Sequence, residues 1–166
     1  MTPQPTGYTR AQIILHWVIA ALVIFQLIFG EDIVPAYRAF MKGTEPDSAT
    51  LLPANIHIYI GLTILLLAVI RLALRFRHGV PPLPADENIV LQYIAKAAHI
   101  ILYAAIFLMP VTGAVAWFLG IGSVGEIHEI GKPVIIIAVA LHAAGALWQH
   151  FVARTDVLKR MLRPIA

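Results

Sequence analysis

Four apolar stretches constrain this chain more than any motif does. Each is near or above the ~20 residues that a helix needs to cross ~30 Å of hydrocarbon. The first covers 12–30 (QIILHWVIAALVIFQLIFG), the second 53–74 (PANIHIYIGLTILLLAVIRLAL), the third 91–119 and the fourth 128–152. Strong strand-type alternation is missing, so the expected class is an all-α integral membrane protein, a four-transmembrane-helix bundle formed by 1–166 as one domain. Of the residues, 60% are hydrophobic and 13% charged, and a soluble domain of this length needs more charge on its surface. The third stretch is long enough to tilt, and Pro110 is expected to kink it. Met1–Arg10 has one basic residue and no small-residue cleavage pattern, so the first stretch reads as a retained helix rather than a signal peptide.

The linkers are polar and short. Residues 31–50 mix Glu31, Asp32, Glu45 and Asp47 with Arg38 and Lys42, residues 75–88 contain Val80-Pro-Pro-Leu-Pro84, and Gly120–Gly125 makes a third turn. Counted over ends and loops, nine Lys/Arg fall on one side (Arg10, Arg71, Arg75, Arg77, Lys96, Arg154, Lys159, Arg160, Arg163) and three on the other (Arg38, Lys42, Lys132). The positive-inside rule then puts both termini in the cytoplasm, with 31–50 and 120–127 facing outward. The net charge of +3 is spread along the flanks of apolar spans rather than gathered on a face, so lipid and not nucleic acid is the expected surroundings. Cysteine is absent, which excludes disulfides, thiolate catalysis, Cys-held iron–sulfur centres and covalent haem attachment.

Histidines inside these spans carry the chemistry, because a strongly polar side chain in hydrocarbon is costly and needs a partner. His128 and His142 are 14 residues apart on the fourth span. That is ~21 Å along a helix and only ~40° around it, so they share a stripe and cannot ligate one metal. His16 lies near the depth of His142, and His57, entering from the opposite side, near that of His128. The expected pairs are therefore His16 with His142 and His57 with His128, at two depths. Neutral imidazole is a good axial ligand for haem iron, and two stacked, non-covalently held b haems account for the spacing. Zinc would gather three or four ligands at one depth. Gly131 and Gly145, three residues after the fourth-span histidines, and Gly61 and Ala20, four after His57 and His16, would let a flat porphyrin approach the backbone, or would serve ordinary helix packing.

His99 enters the third span from the cytoplasmic side. It stands open between an inner-haem ligand, a quinone or proton-transfer group, and a packing histidine. His150 and Gln149 lie nearer the same interface and could serve a quinone, or simply cap the wet edge of the bundle. Arg71 and Arg75 are expected to snorkel to the cytoplasmic side, and their planar donor forks suit an inner-haem propionate. His78 reads as a loop residue.

With these residues in view, the sequence resembles the bacterial cytochrome b561 family, including its small four-helix superoxide oxidases. The resemblance rests on Tyr8-Thr-Arg-Ala-Gln-Ile-Ile-Leu-His16-Trp17, Ile56-His57 with Gly61, Arg71-Leu-Ala-Leu-Arg75, His99, Pro110-Val-Thr-Gly113, His128-Glu129 and Leu141-His142-Ala-Ala-Gly145. It implies haem ligands on the first, second and fourth helices, matching His16/His142 and His57/His128. It also implies electron transfer from periplasmic superoxide to membrane ubiquinone, with no superoxide-contacting side chain assigned by a motif. The competing expectations are a non-enzymatic cytochrome module that relays electrons between a redox protein partner and the quinone pool, and, third, a small transporter.

Overall fold

A computed structural model of the chain describes residues 5–84 and 88–164. Its elements are helices α1 (Arg10–Phe29), α2 (Val34–Met41), α3 (Ser48–His78), α4 (Ile89–Leu119), α5 (Gly122–Phe151) and α6 (Val157–Arg160), with a 3-10 turn at Gly30–Ile33 between α1 and α2. Among the described residues four segments are long and apolar enough to cross a membrane: Arg10–Met41, Ser48–His78, Ile89–Leu119 and Gly122–Phe151. A helix of 31 residues is ~46 Å long. It outreaches the hydrocarbon and must tilt or extend into the headgroup region. The protein is a multi-pass, all-α membrane protein.

Polar capping sets the helix ends and explains where they differ from hydropathy. Thr9 and Gln12 form a capping box at the start of α1. The Asp47 carboxylate accepts from the Thr50 N–H at 2.8 Å and starts α3 at Ser48, five residues before the expected span. Helix α5 starts at Gly122, six residues before His128, because Gly120 ends α4 in the left-handed region (φ 66°) and reverses the chain at once. His78 is the last residue of α3 rather than a loop residue. Helix α4 runs through Pro110 to Leu119. The expected linker 31–50 contains α2, whose Phe40 and Tyr37 stack on Trp117 of α4 at 5.5 Å and 6.3 Å between centroids.

Helix α1 packs on α3, α3 on α4, and α4 most extensively on α5, while α1 and α5 have no comparable backbone approach among the described residues. The core between them is thin. Its buried residues are Ile19, Val23, Ile64 and Ile135. These sit midway along the helices: Ile64 follows His57 by seven residues, and Ile135 lies seven from both His128 and His142. Large apolar side chains such as Tyr59, Leu66, Ile100 and Leu141 face outward, as lipid-facing residues do.

One end of the bundle is tied by hydrogen bonds among its segments. Gln12 donates to the Gly79 carbonyl (3.0 Å), Trp17 to Met161 (2.8 Å) and Arg160 to Pro82 (3.0 Å). The start of α1, the 79–84 segment and α6 with Met161 meet here, at what we call the terminal end. At the opposite, loop end, Lys132 pairs with Glu31 and joins α5 to the 3-10 turn.

Candidate functional site

Seven-residue spacing puts chemistry and core on one stripe of each helix: His16 and Val23 on α1, His57, Ile64 and Arg71 on α3, and His128, Ile135, His142 and Gln149 on α5. A seven-residue step drifts only ~20° around an α-helix. When Val23, Ile64 and Ile135 meet in the core, the histidines above and below are drawn to the same inter-helix gap.

The rings come together in twos. His16 and His142 have centroids 6.1 Å apart with planes at 70°, and His57 and His128 are 6.2 Å apart at 73°. His99 packs edge-on against His142 at 5.0 Å and 81°, while its Nδ1 donates to the Ala95 carbonyl at 2.7 Å. His99 therefore stands beside the terminal-end pair, on the α4 side. Among the described residues no three His, Cys, Asp or Glu side chains converge to enclose an ion.

A cavity of about 960 Å³ opens at the loop-end pair, lined by His57, His128, Gly61, Gly113, Arg38 and Lys42 among others. That is the size of a small-molecule or cofactor cleft. Two buried polar atoms on its lining residues have no partner, the Tyr37 hydroxyl and His57 Nδ1, and such groups are costly unless a ligand or water satisfies them. Gln26 donates to the His57 carbonyl at 2.8 Å and pins α3 to α1 beside the cavity.

His128 is held more fully. Its Nδ1 lies 2.8 Å from the Met109 carbonyl and 3.2 Å from the Thr112 hydroxyl. The glycines expected to flank a cofactor divide in two. A side chain at Gly145 would meet nothing within 4 Å, so this turn of α5 borders open space. Gly131 instead lies against Met109 Sδ, and its missing side chain serves the close α4–α5 contact.

At the terminal end, Arg71 donates one N–H to the Gln12 carbonyl at 2.8 Å, and Arg75 lies over the Tyr103 ring at 5.6 Å. Burial pushes the Tyr8 phenol up, opposed by the positive charges of Arg71, Arg75 and Arg160. Gln149 accepts from the Thr155 hydroxyl at 2.8 Å, in the turn that closes α5. His150 packs edge-on against Phe151, with Nδ1 buried and unpartnered.

Gln26 and Met109 enter the site without having been singled out from sequence, and Gln12, Thr112 and Gly113 stood there only as parts of the family motifs, with no role assigned. For the two glutamines and Thr112 a signal existed, a polar side chain inside an apolar span. Met109 contributes through its backbone, which no residue type announces.

Paired imidazoles at two depths between membrane helices define a membrane electron-transport protein of the cytochrome type. The chain belongs to the prokaryotic cytochrome b561 family, whose profile matches residues 7–164. It is 36% identical to cytochrome b562 of Cereibacter sphaeroides, over 99% of both chains. It is 26% identical to cytochrome b561 homolog 1 of Escherichia coli, covering 93% of this chain and 96% of that one. To the probable superoxide oxidase CybB of Yersinia pestis it is 23% identical, covering 93% and 95%.

The family name implies haem b, and the residues present fit it. An imidazole nitrogen sits about 2 Å from a first-row metal, with the ring centroid about 1 Å further on, so two axial imidazoles on one iron have centroids about 6 Å apart. Both pairs have that spacing, and the loop-end pair faces a cavity on whose lining the Tyr37 hydroxyl and His57 Nδ1 lack partners. His99 and His142, at 5.0 Å, stand closer than two axial ligands of one iron.

Proposed function

We propose that this protein is a di-haem b membrane oxidoreductase of the bacterial inner membrane that passes electrons from periplasmic superoxide to ubiquinone. The observation that carries this reading is the pairing of imidazoles at two depths, ~21 Å apart along α5. His57 and His128 hold the outer haem iron, and His16 and His142 the inner one. When bound, the haems supply one-electron redox chemistry, while the protein positions them and tunes their potentials.

The remaining roles follow from charge and position. The terminal end carries most of the Lys/Arg and is assigned to the cytoplasm. Arg38 and Lys42 line the outer cavity, which Glu126 and Glu129 line as well, and give it a local attraction for an anion such as superoxide despite those carboxylates, whereas the third outer cation, Lys132, is paired with Glu31. Arg71 has donors beyond the one used on Gln12 and, with Arg75, anchors the inner propionates. Ubiquinone binds at the cytoplasmic interface, where His99 and His150 assist its protonation and Gln149 hydrogen-bonds a quinone oxygen. Two superoxide anions each lose one electron and leave as dioxygen; ubiquinone takes up both electrons and two protons.

A second reading draws support from the 36% identity to a protein named only as a cytochrome, over nearly the full length of both chains. In it the chain is a non-enzymatic module relaying electrons between a redox protein partner and the quinone pool. Rapid mixing of the haem-loaded protein with superoxide and a soluble quinone separates the two. Haem reduction by superoxide followed by quinol formation supports the oxidoreductase. Reduction only by a copurifying protein supports the relay, and reduction by neither refutes both.

A further inference from the structure

The Met109–Gly113 turn of α4 packs against the ring of His128 on the neighbouring helix α5. A carbonyl oxygen can only accept, so the 2.8 Å contact between His128 Nδ1 and the Met109 carbonyl requires the proton on Nδ1. Nε2 is then bare and ready to ligate. The Thr112 hydroxyl donates back to the Leu108 carbonyl at 2.8 Å, which turns an oxygen lone pair toward the same Nδ1–H at 3.2 Å. Gly113 completes the seat: a Cβ there would stand 3.0 Å from His128 Cε1 and 3.2 Å from Nδ1, a contact so tight that the ring would have to give by a few tenths of an ångström. Met109 itself is held by its side chain over Gly131, one turn beyond His128. His57 also has a glycine beside its ring, Gly30, where a Cβ would lie 3.4 Å from Cε1, but its Nδ1 is buried and has no hydrogen-bond partner.

We propose that Met109, Thr112 and Gly113 are the positioning residues of the outer haem ligand His128, fixing its tautomer, its ring plane and its basicity, and so making the two ligands of that haem electronically unlike. Donation from Nδ1–H to an oxygen raises the basicity of the ligating nitrogen, which favours ferric over ferrous iron and lowers the potential of that centre. The inference rests on the outer-haem reading above and deepens it.

The test uses the full-length, haem-loaded protein. Thr112→Val keeps the shape and removes one of the two acceptors, so the midpoint potential of the outer haem should rise while that of the inner haem stays put. Thr112→Ser should restore it. Gly113→Ala should displace the ring and alter the low-spin resonance of the outer centre, with outer-haem retention about ten- to a hundred-fold weaker, the range for lost outer-shell partners. Since Gly113→Ala could also unsettle the fold, an intact inner-haem spectrum is required of it. Nitrogen NMR of histidine-labelled apoprotein supplies a haem-free readout, with the His128 proton expected on Nδ1. A proton on Nε2, or an unchanged outer potential and spectrum in both Thr112→Val and Gly113→Ala, overturns the inference. Failure of the underlying reading looks different: His128→Ala would then leave both haems of the otherwise native protein in place.

Discussion

Ile135 is 6% exposed and lies seven residues, ~10.5 Å, from each of His128 and His142. Replacing it with alanine removes three carbons from the contact with Ile19, Val23 and Ile64. In a soluble core such a change costs about 2–5 kcal/mol, of which roughly 2.4 kcal/mol is the transfer of those carbons from water. In a bilayer the transfer part cancels, because separated helices still bathe the side chain in hydrocarbon. The loss of packing remains, at about 1–2 kcal/mol, or a five- to thirtyfold change in the folded ratio. The assay is reversible detergent unfolding of the haem-loaded protein, following the absorption of each haem separately. Because Ile135 is equidistant from both levels, the two haems should loosen together and by this modest amount. Loss of one haem alone, or a cost near 5 kcal/mol, would refute the picture of a shared lipid-embedded core between two sites.

Charge removal at Arg71 and Arg75 together should lower inner-haem retention and shift its potential, leaving the outer haem unchanged; potentiometric titration checks this. Substituting His99, His150 and Gln149 singly with alanine should slow quinone reduction in proteins that keep both haems. The effect should be smallest for Gln149, whose side chain already accepts from Thr155. The Arg160 guanidinium bonded to Asp156 holds that carboxyl below its usual range. Its contribution is therefore present above the unfolded pKa of Asp156 and lost as pH falls through the depressed folded value. The end-tying bond from Trp17 to Met161 should loosen in that acidic window, read as Trp17 fluorescence, and Asp156→Asn should remove the pH dependence.

The four spans were legible because lipid imposes a single rule, apolar length, which composition reports directly. Histidine depth was legible for a similar reason: a fixed rise per residue turns spacing into distance, and the structure brings together His16 with His142 and His57 with His128. What hydropathy hid were the polar first turns. Ser48–Leu52 and Gly122–Ile127 are helical because of the cap at Asp47 and the reversal at Gly120, features that apolar scoring penalises or passes over. Helix α2 was hidden because its stability comes from stacking on Trp117, distant in sequence. Gly131 and Gly145 share a spacing yet differ in neighbours, Met109 in one case and open space in the other, and only tertiary packing separates them.

Haem counting with paired histidine substitutions tests the two-depth arrangement most directly. Extracted haem per chain, measured with the low-spin spectrum of each centre, should give two b haems in the native protein. His57→Ala and His128→Ala should each remove the same centre, and His16→Ala and His142→Ala the other. A stoichiometry of one haem per fully assembled chain, or the loss of one common centre in both His16→Ala and His57→Ala, would contradict it.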